Sequence, residues 1–466
     1  MDKLSTEKLD LGHVIKITLA AALGGFLFGF DSSVINGANG ALKVHFAMTD
    51  HQLGLAVALS LIGAAIGAYF AGRLADAFGR IKCMLAAAIL FLVSAIGSGI
   101  PFGVTDFIMW RVIGGVGVGM ASIIAPIYIA ETAPAHLRGR LGSMQQMAIV
   151  VGIFIALLSN YLIVQVAGSA NNPIFGRFKA WQLMFWIEII PALMYGIAAL
   201  RLPESPRYLI SQGNIEEAKA VFAKIKLDRL DEHVEAIQKS FNNEKRHTLS
   251  DLLETLSNGK KRVAPIVWVG LGLAVLQQLV GINVIFYYGS MLWQSVGFGE
   301  SDAFLSSLIN SSINMVMTVV AILLIDKVGR KPLLLVGSIG MMITLGTLAL
   351  CFLNANPDGS LGGGAVVAFV AANFYVAFFA VTWGPVMWVM LGEMFNNRIR
   401  AVAISICGLA QWFANFLVSW SFPILTGDNG IGVGPTYLLY TFFAAISIFF
   451  VAKFVRETNG KHLEEM

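Results

Sequence analysis

Long apolar runs without charge recur along the chain from Ile15 to Val455, each interrupted by a short cluster of polar, charged, glycine or proline positions. A membrane-spanning helix takes about 20 largely apolar residues. Breaking the chain at the polar clusters predicts twelve such helices, beginning near residues 14, 52, 82, 105, 142, 180, 264, 303, 332, 364, 399 and 435. The runs are continuously apolar rather than alternating, which excludes a transmembrane β-barrel. One connection differs in kind: Pro203 to Arg262 carries 11 Lys/Arg and 10 Asp/Glu, with apolar residues at helical spacing in stretches such as Ile215 to Ile225. It reads as a helical connector outside the lipid. The expected organisation is an all-α membrane protein, with a six-helix bundle over residues 1–202, a connector over 203–263 and a second six-helix bundle over 264–466.

Composition agrees: 57% of the 466 residues are hydrophobic and 13% charged, against roughly 25% charged in soluble domains. Soluble enzymes, disordered chains and secreted disulfide scaffolds are excluded. Cys83, Cys351 and Cys407 sit singly in apolar stretches without metal-ligand spacing, so neither a metal nor a disulfide is expected. The first ten residues are polar and no cleavable signal pattern follows.

Charge placement tests the span count. Assigning the 32 Lys and Arg residues to alternate sides puts 28 on one side. Lys43, Arg177 and Lys179 fall on the other, and Arg111 falls inside a span. Cationic loops stay cytoplasmic, so both termini are expected inside.

The two halves repeat. Gly72 to Arg80 in the first resembles Leu324 to Lys331 in the second, with Asp76 and Asp326 250 positions apart. Glu131 precedes Arg138, and Glu393 precedes Arg400, by seven residues at an offset of 262, and Pro203-Glu204-Ser205 matches Arg456-Glu457-Thr458 at 253. Parallel six-helix repeats are a common plan of secondary transporters, which hold substrate between the halves at mid-membrane. Pro203-Glu204-Ser205-Pro206-Arg207, Gln277 to Asn283 and Trp383-Gly384-Pro385-Val386-Met387-Trp388 occur in that order. With Gly24 to Asp31, they make the chain resemble the sugar porter family of the major facilitator superfamily, in particular bacterial xylose/proton symporters and glucose facilitators. The resemblance implies alternating access and no catalytic activity.

Side-chain amides match sugar hydroxyls as donors and acceptors, and aromatic rings match the C–H faces. Polar side chains in membrane helices are costly unless they face a cavity or a partner. Gln277 and Gln278 project about 100° apart on a helix and are followed by Gly281, Asn283, Tyr287 and Tyr288, which favours a sugar site there. Gln145 and Asn415 read instead as contacts between helices. The resemblance implies sugar contacts at Gln146, Gln277, Gln278, Asn283, Asn314 and Gln411, and aromatic ones at Phe28, Tyr287, Tyr288, Trp388 and Trp412. Gly384-Pro385 suits a helix that bends as a gate. Ile153 and Phe286 beside the amides suit a hexose or pentose.

Asp31 sits in mid-span, where a carboxylate costs roughly 2.5 to 3.5 kcal/mol on insertion scales, and is a functional candidate by default. A cation that approaches or leaves it switches it between releasing and holding a proton. Arg111 is the natural partner, and the resemblance implies proton coupling through the pair; Glu188 is a further candidate. Arg73, Asp76, Arg80, Glu131, Arg138, Glu204 and Arg207 of the first half, with Asp326, Arg330, Glu393, Arg400 and Glu457 of the second, are expected to form a cytoplasmic gate. Asn396, Ala401 and Arg456 depart from the family pattern, so a different geometry is expected for the second-half network.

Gly114 to Gly119 lies in an apolar span without a preceding strand, and reads as close helix packing rather than a nucleotide loop. The expected function is import of a monosaccharide such as glucose or xylose with a proton, with no cofactor beyond that coupling ion. An uncoupled facilitator and a membrane sugar sensor are the alternatives. The expected partners are the sugar, the proton and the bilayer, without nucleic acid, for a monomer in a bacterial inner membrane.

Overall fold

A computed structural model describes residues 11–132, 138–224, 230–243, 252–255, 261–356, 360–395 and 399–458. The first half comprises α1 (Leu11–His45), α2 (Asp50–Phe78), α3 (Arg80–Gly99), α4 (Val104–Thr132), α5 (Arg138–Ala167), a hairpin of β1 (Pro173–Phe175) and β2 (Phe178–Lys179), then α6 (Ala180–Ile187) and α7 (Ile189–Arg201). The connector holds α8 (Pro206–Ser211), α9 (Ile215–Lys224), α10 (Leu230–Asn243) and an antiparallel pair, β3 (Leu253–Thr255) with β4 (Lys261–Val263). The second half follows as α11 (Pro265–Leu279), α12 (Ile282–Ser295), α13 (Glu300–Val328), α14 (Arg330–Leu353), α15 (Gly364–Val381), α16 (Trp383–Met394), α17 (Arg400–Thr426) and α18 (Val433–Phe454).

Twelve spans among the described residues are long and apolar enough to cross a membrane. Their starts lie within three residues of the expected ones. Three spans are broken, and each break has a local cause. A proline ring clashes with the carbonyl four residues back and donates no N–H. Pro191 therefore separates α6 from α7 at Glu188, and Pro385 separates α15 from α16 at Thr382. Between α11 and α12 the chain turns through Gly281 at φ +81°, a left-handed conformation that favours glycine.

Within the first half, the glycine run packs helices as expected. A side chain at Gly115 or Gly119 of α4 would strike the carbonyl of Ser60 or Ala64, and one at Gly63 or Gly67 of α2 that of Val112 or Val116. The two backbones therefore interlock, as small residues allow in membranes. Gly29 of α1 and Gly152 of α5 make a second seam against the Ile149 and Phe26 carbonyls. Between the halves, α2 packs on α17 and α5 on α13, two contacts that the repeat exchanges, and α1 packs on α12.

Substituting Gly152→Val forces α1 away from α5, and overpacking of this kind costs about 1–3 kcal/mol. Thermal unfolding of the purified protein in detergent is expected to show a lowered midpoint, whereas Gly40→Val, where a side chain meets open space, leaves it unchanged.

Candidate functional site

Asp31 and Arg111 meet in the core of the first half. Arg111 Nη1 donates to Asp31 Oδ1 at 2.8 Å and Nη2 to the Asp31 carbonyl at 2.9 Å. Both residues are 1% exposed. Glu188, at the break between α6 and α7, is fully buried, lies close enough to interact electrostatically with both, and has no hydrogen-bond partner among the described residues for either carboxylate oxygen. Two buried carboxylates thus lie within electrostatic range of one guanidinium, and Asp31 is the one bonded to it among the described residues. Ser94 and Gly114 close the pocket: a side chain at Gly114 would press on both the Ser94 hydroxyl and Asp31.

The amides of the second half join into one chain. Asn283 Nδ2 donates to Gln278 Oε1 at 2.7 Å, Gln278 Nε2 to Gln277 Oε1 at 3.2 Å, and Gln411 Nε2 to the same Gln277 oxygen at 2.7 Å. Gln277 Nε2 in turn donates to the carbonyls of Trp383 at 2.9 Å and Gly384 at 3.3 Å, beside the α15–α16 break. Four predicted residues and Gly384 therefore form one hydrogen-bonded unit spanning α11, α12, α16 and α17. Asn283 and Gln411 are half-buried, and among the described residues the side-chain carbonyl of each has no partner.

Aromatic groups surround this unit. Trp388 is one turn beyond Gly384, hence on the same helix face, and is 40% exposed. Trp412, next to Gln411, meets Phe28 of the first half at a ring separation of 5.7 Å. Tyr287 is buried on α12, one turn beyond Asn283. Tyr288 turns away: its hydroxyl donates to the Ser419 carbonyl at 2.8 Å and its ring packs on Phe422, which makes it part of the wall behind the amides. Asn314 on α13 and Gln146 on α5 are not hydrogen-bonded to the amide chain. Gln145 of α5 is buried against Gly25 of α1, so it contacts a neighbouring helix, without a hydrogen-bond partner among the described residues.

The charged motifs build two matching networks on the connector side. Arg80 grips Glu131 through Nε and Nη2, both at 2.8 Å, reaches back to the Ala75 carbonyl and pairs with Asp76. Arg330 repeats this with Glu393, the Ile325 carbonyl and Asp326. The Glu204 carboxylate accepts the N–H groups of Arg80 and Ile81, and Glu457 those of Arg330 and Lys331. Each thereby satisfies a helix N-terminus, where partial positive charge favours an anion. Single glycines at φ +96° and +95°, Gly79 and Gly329, make both turns.

Two expectations change here. The second-half network does not differ in geometry, because Glu457 and Thr458 make its contacts and the Arg456 side chain is not needed for them; Asn396 and the Ala401 side chain lie outside the described parts. Each of these ion pairs also joins residues of one half, so they brace the halves rather than latch them together. Arg73 is exposed and rests on Tyr69, Arg400 donates to the Phe395 carbonyl, Arg207 is half-buried, and the Arg138 side chain lies outside the described parts.

Among the described residues, direct hydrogen bonds between the halves lie on the side opposite the connector, at residues absent from the sequence-based expectation. Asn36 Nδ2 donates to the carbonyls of Ile285 at 3.3 Å and Phe286 at 2.9 Å, and Asn36 Oδ1 accepts the Ser290 N–H at 3.0 Å. Asn39 Nδ2 donates to the Tyr287 carbonyl at 2.6 Å. The Ala170 N–H donates to Glu300 nearby. The test that selects the glutamines, an amide deep in an apolar span, also selects Asn36 and Asn39.

Two repeated six-span halves, a mid-membrane amide cluster and a buried ion pair define a major facilitator carrier. The chain belongs to the sugar (and other) transporter family, whose model matches residues 17–466, and it is a multi-pass membrane transporter rather than an enzyme. It is 55% identical to the glucose transport protein of Synechocystis sp. over 99% of this chain and 98% of that one. Identity to the D-xylose-proton symporter of Escherichia coli is 37% over 97% and 95%. The fold is similar to the partially occluded inward open conformation of the xylose transporter XylE from E. coli, with a TM-score of 0.82 at 35% identity over 97% of this chain and 100% of that one.

Asn36→Ala removes three hydrogen bonds between the halves, each worth about 0.5–1.5 kcal/mol net. Spin labels at the exposed positions Val44 and Ser295 are expected to show a growing population of longer distances in this variant; an unchanged distribution would mean that the clamp does not set the separation of α1 and α12.

Proposed function

We propose that the protein imports a monosaccharide together with a proton by alternating access. The observation that carries this reading is the trio of Asp31, Glu188 and Arg111. Two buried carboxylates against one guanidinium are neutral only when the trio holds one proton, and an uncompensated charge in the membrane core is costly. The trio is thus a one-proton site by charge count. Loading and release follow when α1 and α4 move and change the distance between Asp31 and Arg111.

The sugar is held by the amide chain. Gln277, fixed to the Trp383 and Gly384 carbonyls, orients Gln278 and Gln411, while the carbonyls of Asn283 and Gln411 accept sugar hydroxyl protons. Trp388 and Trp412 cover the C–H faces, and Phe28 brings the first half into contact with the same site. Gln146 and Asn314 complete the shell on closure. The clamp at Asn36 closes the outer side, consistent with the likeness to an inward open structure. The connector side is cytoplasmic, where the matched networks centred on Arg80 and Arg330 stiffen each half at the inner gate. The protein works as a monomer in a bacterial inner membrane.

Proteoliposomes test this directly with labelled glucose and xylose, with and without an inward proton gradient. Accumulation above equilibrium is expected only with the gradient, and Asp31→Asn is expected to abolish it while sugar exchange survives. Equilibration indifferent to the gradient in both proteins would make this an uncoupled facilitator.

Gln277→Ala leaves Gln278 and Gln411 without their shared acceptor and is expected to weaken sugar binding by about tenfold or more, given roughly 1–3 kcal/mol per unpaired buried group. Calorimetric titration with the transported sugar measures it.

Charge balance makes a further prediction. Glu188→Gln retains Asp31 as the counter-charge, and Asp31→Asn retains Glu188. The double variant leaves Arg111 without either, and is expected to lose about 3–5 kcal/mol more than the two single losses together, read from unfolding in detergent.

A further inference from the structure

On the lipid-facing surface of the first half, a cavity of about 290 Å³ lies between α3 and α4, near the ends opposite the connector. Val93, Ile96, Gly97 and Ile100 form one wall, and Phe102 and Trp110 the other. Its floor is set by Gly97: any side chain there would overlap the Trp110 indole, so the ring lies flat on bare backbone. Phe102 stands at the mouth, 96% exposed.

A cation is linked to the groove wall through two aromatic rings. Trp186 Nε1 donates to the carbonyl of Ile96, a wall residue, and Gln182 Nε2 to that of Gly99. The Trp186 ring meets Phe178 edge-on at 4.9 Å, and the Arg177 guanidinium lies over Phe178 at 5.3 Å. Lys43, Arg177 and Lys179 are the cations of this side. Lys43 is paired with Asp50 and Lys179 contacts His45, whereas Arg177 is exposed and has no carboxylate partner among the described residues. Aromatic rings with a free arginine above an apolar groove match the two ends of a phospholipid: rings at headgroup level, positive charge for the phosphate and hydrocarbon wall for the chain.

We infer that this groove binds one phospholipid with an anionic headgroup, its acyl chain along Val93, Gly97 and Trp110 and its headgroup phosphate at Arg177. The site reaches the coupling pair through a short path. Trp110 directly precedes Arg111, so one side of this turn of α4 faces the groove and the next side faces Asp31. The Ser94 hydroxyl of α3 donates to the Trp110 carbonyl at 2.8 Å and touches the Gly114 position that closes the Asp31 pocket. A chain seated in the groove braces the turn of α4 that carries Arg111.

Native mass spectrometry of the full-length protein, exchanged with equimolar phosphatidylglycerol and phosphatidylethanolamine of identical chains, tests the site. The wild type is expected to retain one phosphatidylglycerol in preference. Val93→Trp, which fills the groove, is expected to lose that adduct; Ile100→Trp serves if Val93→Trp fails to fold. Arg177→Gln is expected to lower the preference for phosphatidylglycerol about fivefold, the effect of one cation near a headgroup. Equal retention of the two lipids by the wild type, an adduct that survives groove filling, or a preference unaltered in Arg177→Gln overturns the proposal. The measurement counts lipids, so its outcome is independent of whether sugar movement is coupled to protons.

Discussion

An arginine guanidinium is charged at any ordinary pH, and the middle of a membrane bundle, where Arg111 is buried, is the worst place for a charge without a partner. The rest of the first half is arranged around that constraint. Asp31 grips the guanidinium from α1, Glu188 lies at the helix break that Pro191 imposes, and Gly114 packs so closely that a side chain there would overlap Ser94 and Asp31. Asp31 also ties the ion pair to the rest of the molecule. The uninterrupted helix that carries it holds Phe28 one turn toward the connector, against Trp412, and Asn36 and Asn39 toward the other end, against the backbone of α12. A shift of α1 is therefore felt at the ion pair, the aromatic wall and the clamp together.

What moves and what stays rigid follow from where the strong contacts lie. Bidentate Arg–Glu pairs act within each half, and the glycine seams of α2 with α4 and of α1 with α5 act within the first, which stiffens each half. Contacts between the halves include hydrogen bonds from two asparagine side chains to main-chain carbonyls. Such bonds are modest in net strength and can be exchanged for water, which suits an interface that must part. The breaks at Gly281 and Thr382 sit beside the amide chain, so the segments most able to bend, α12 and α16, are those that contact it.

Hydropathy and charge alternation made the spans legible because the bilayer permits few ways to cross it, and the repeat made the two charge networks legible as a pair. The partners were less so. Sequence shows that Glu131 and Arg80 have opposite signs, but not that Arg80 turns to its own half rather than across the interface. Arg456 looked disruptive because it replaces a proline, yet the network uses the neighbouring Glu457 carboxylate and backbone. Adjacent tyrosines on one helix are used differently: the Tyr288 hydroxyl is spent on the Ser419 carbonyl, whereas Tyr287 meets Asn39 of the first half through its main-chain carbonyl. Asn36 is marked by the sequence as an amide in an apolar span, but its partners are main-chain groups of α12, which carry no side-chain signature.

The glutamate caps have a consequence for how the chain is made. Arg80 receives its cap from Glu204, 124 residues later, and Arg330 from Glu457, 127 residues later. As each half emerges from the ribosome, the N-terminus of its third span therefore stays uncapped until the sixth span has been threaded. The carboxylate that completes each half is thus among the last of its residues to arrive, so a bundle interrupted before its final span lacks the contact that closes it.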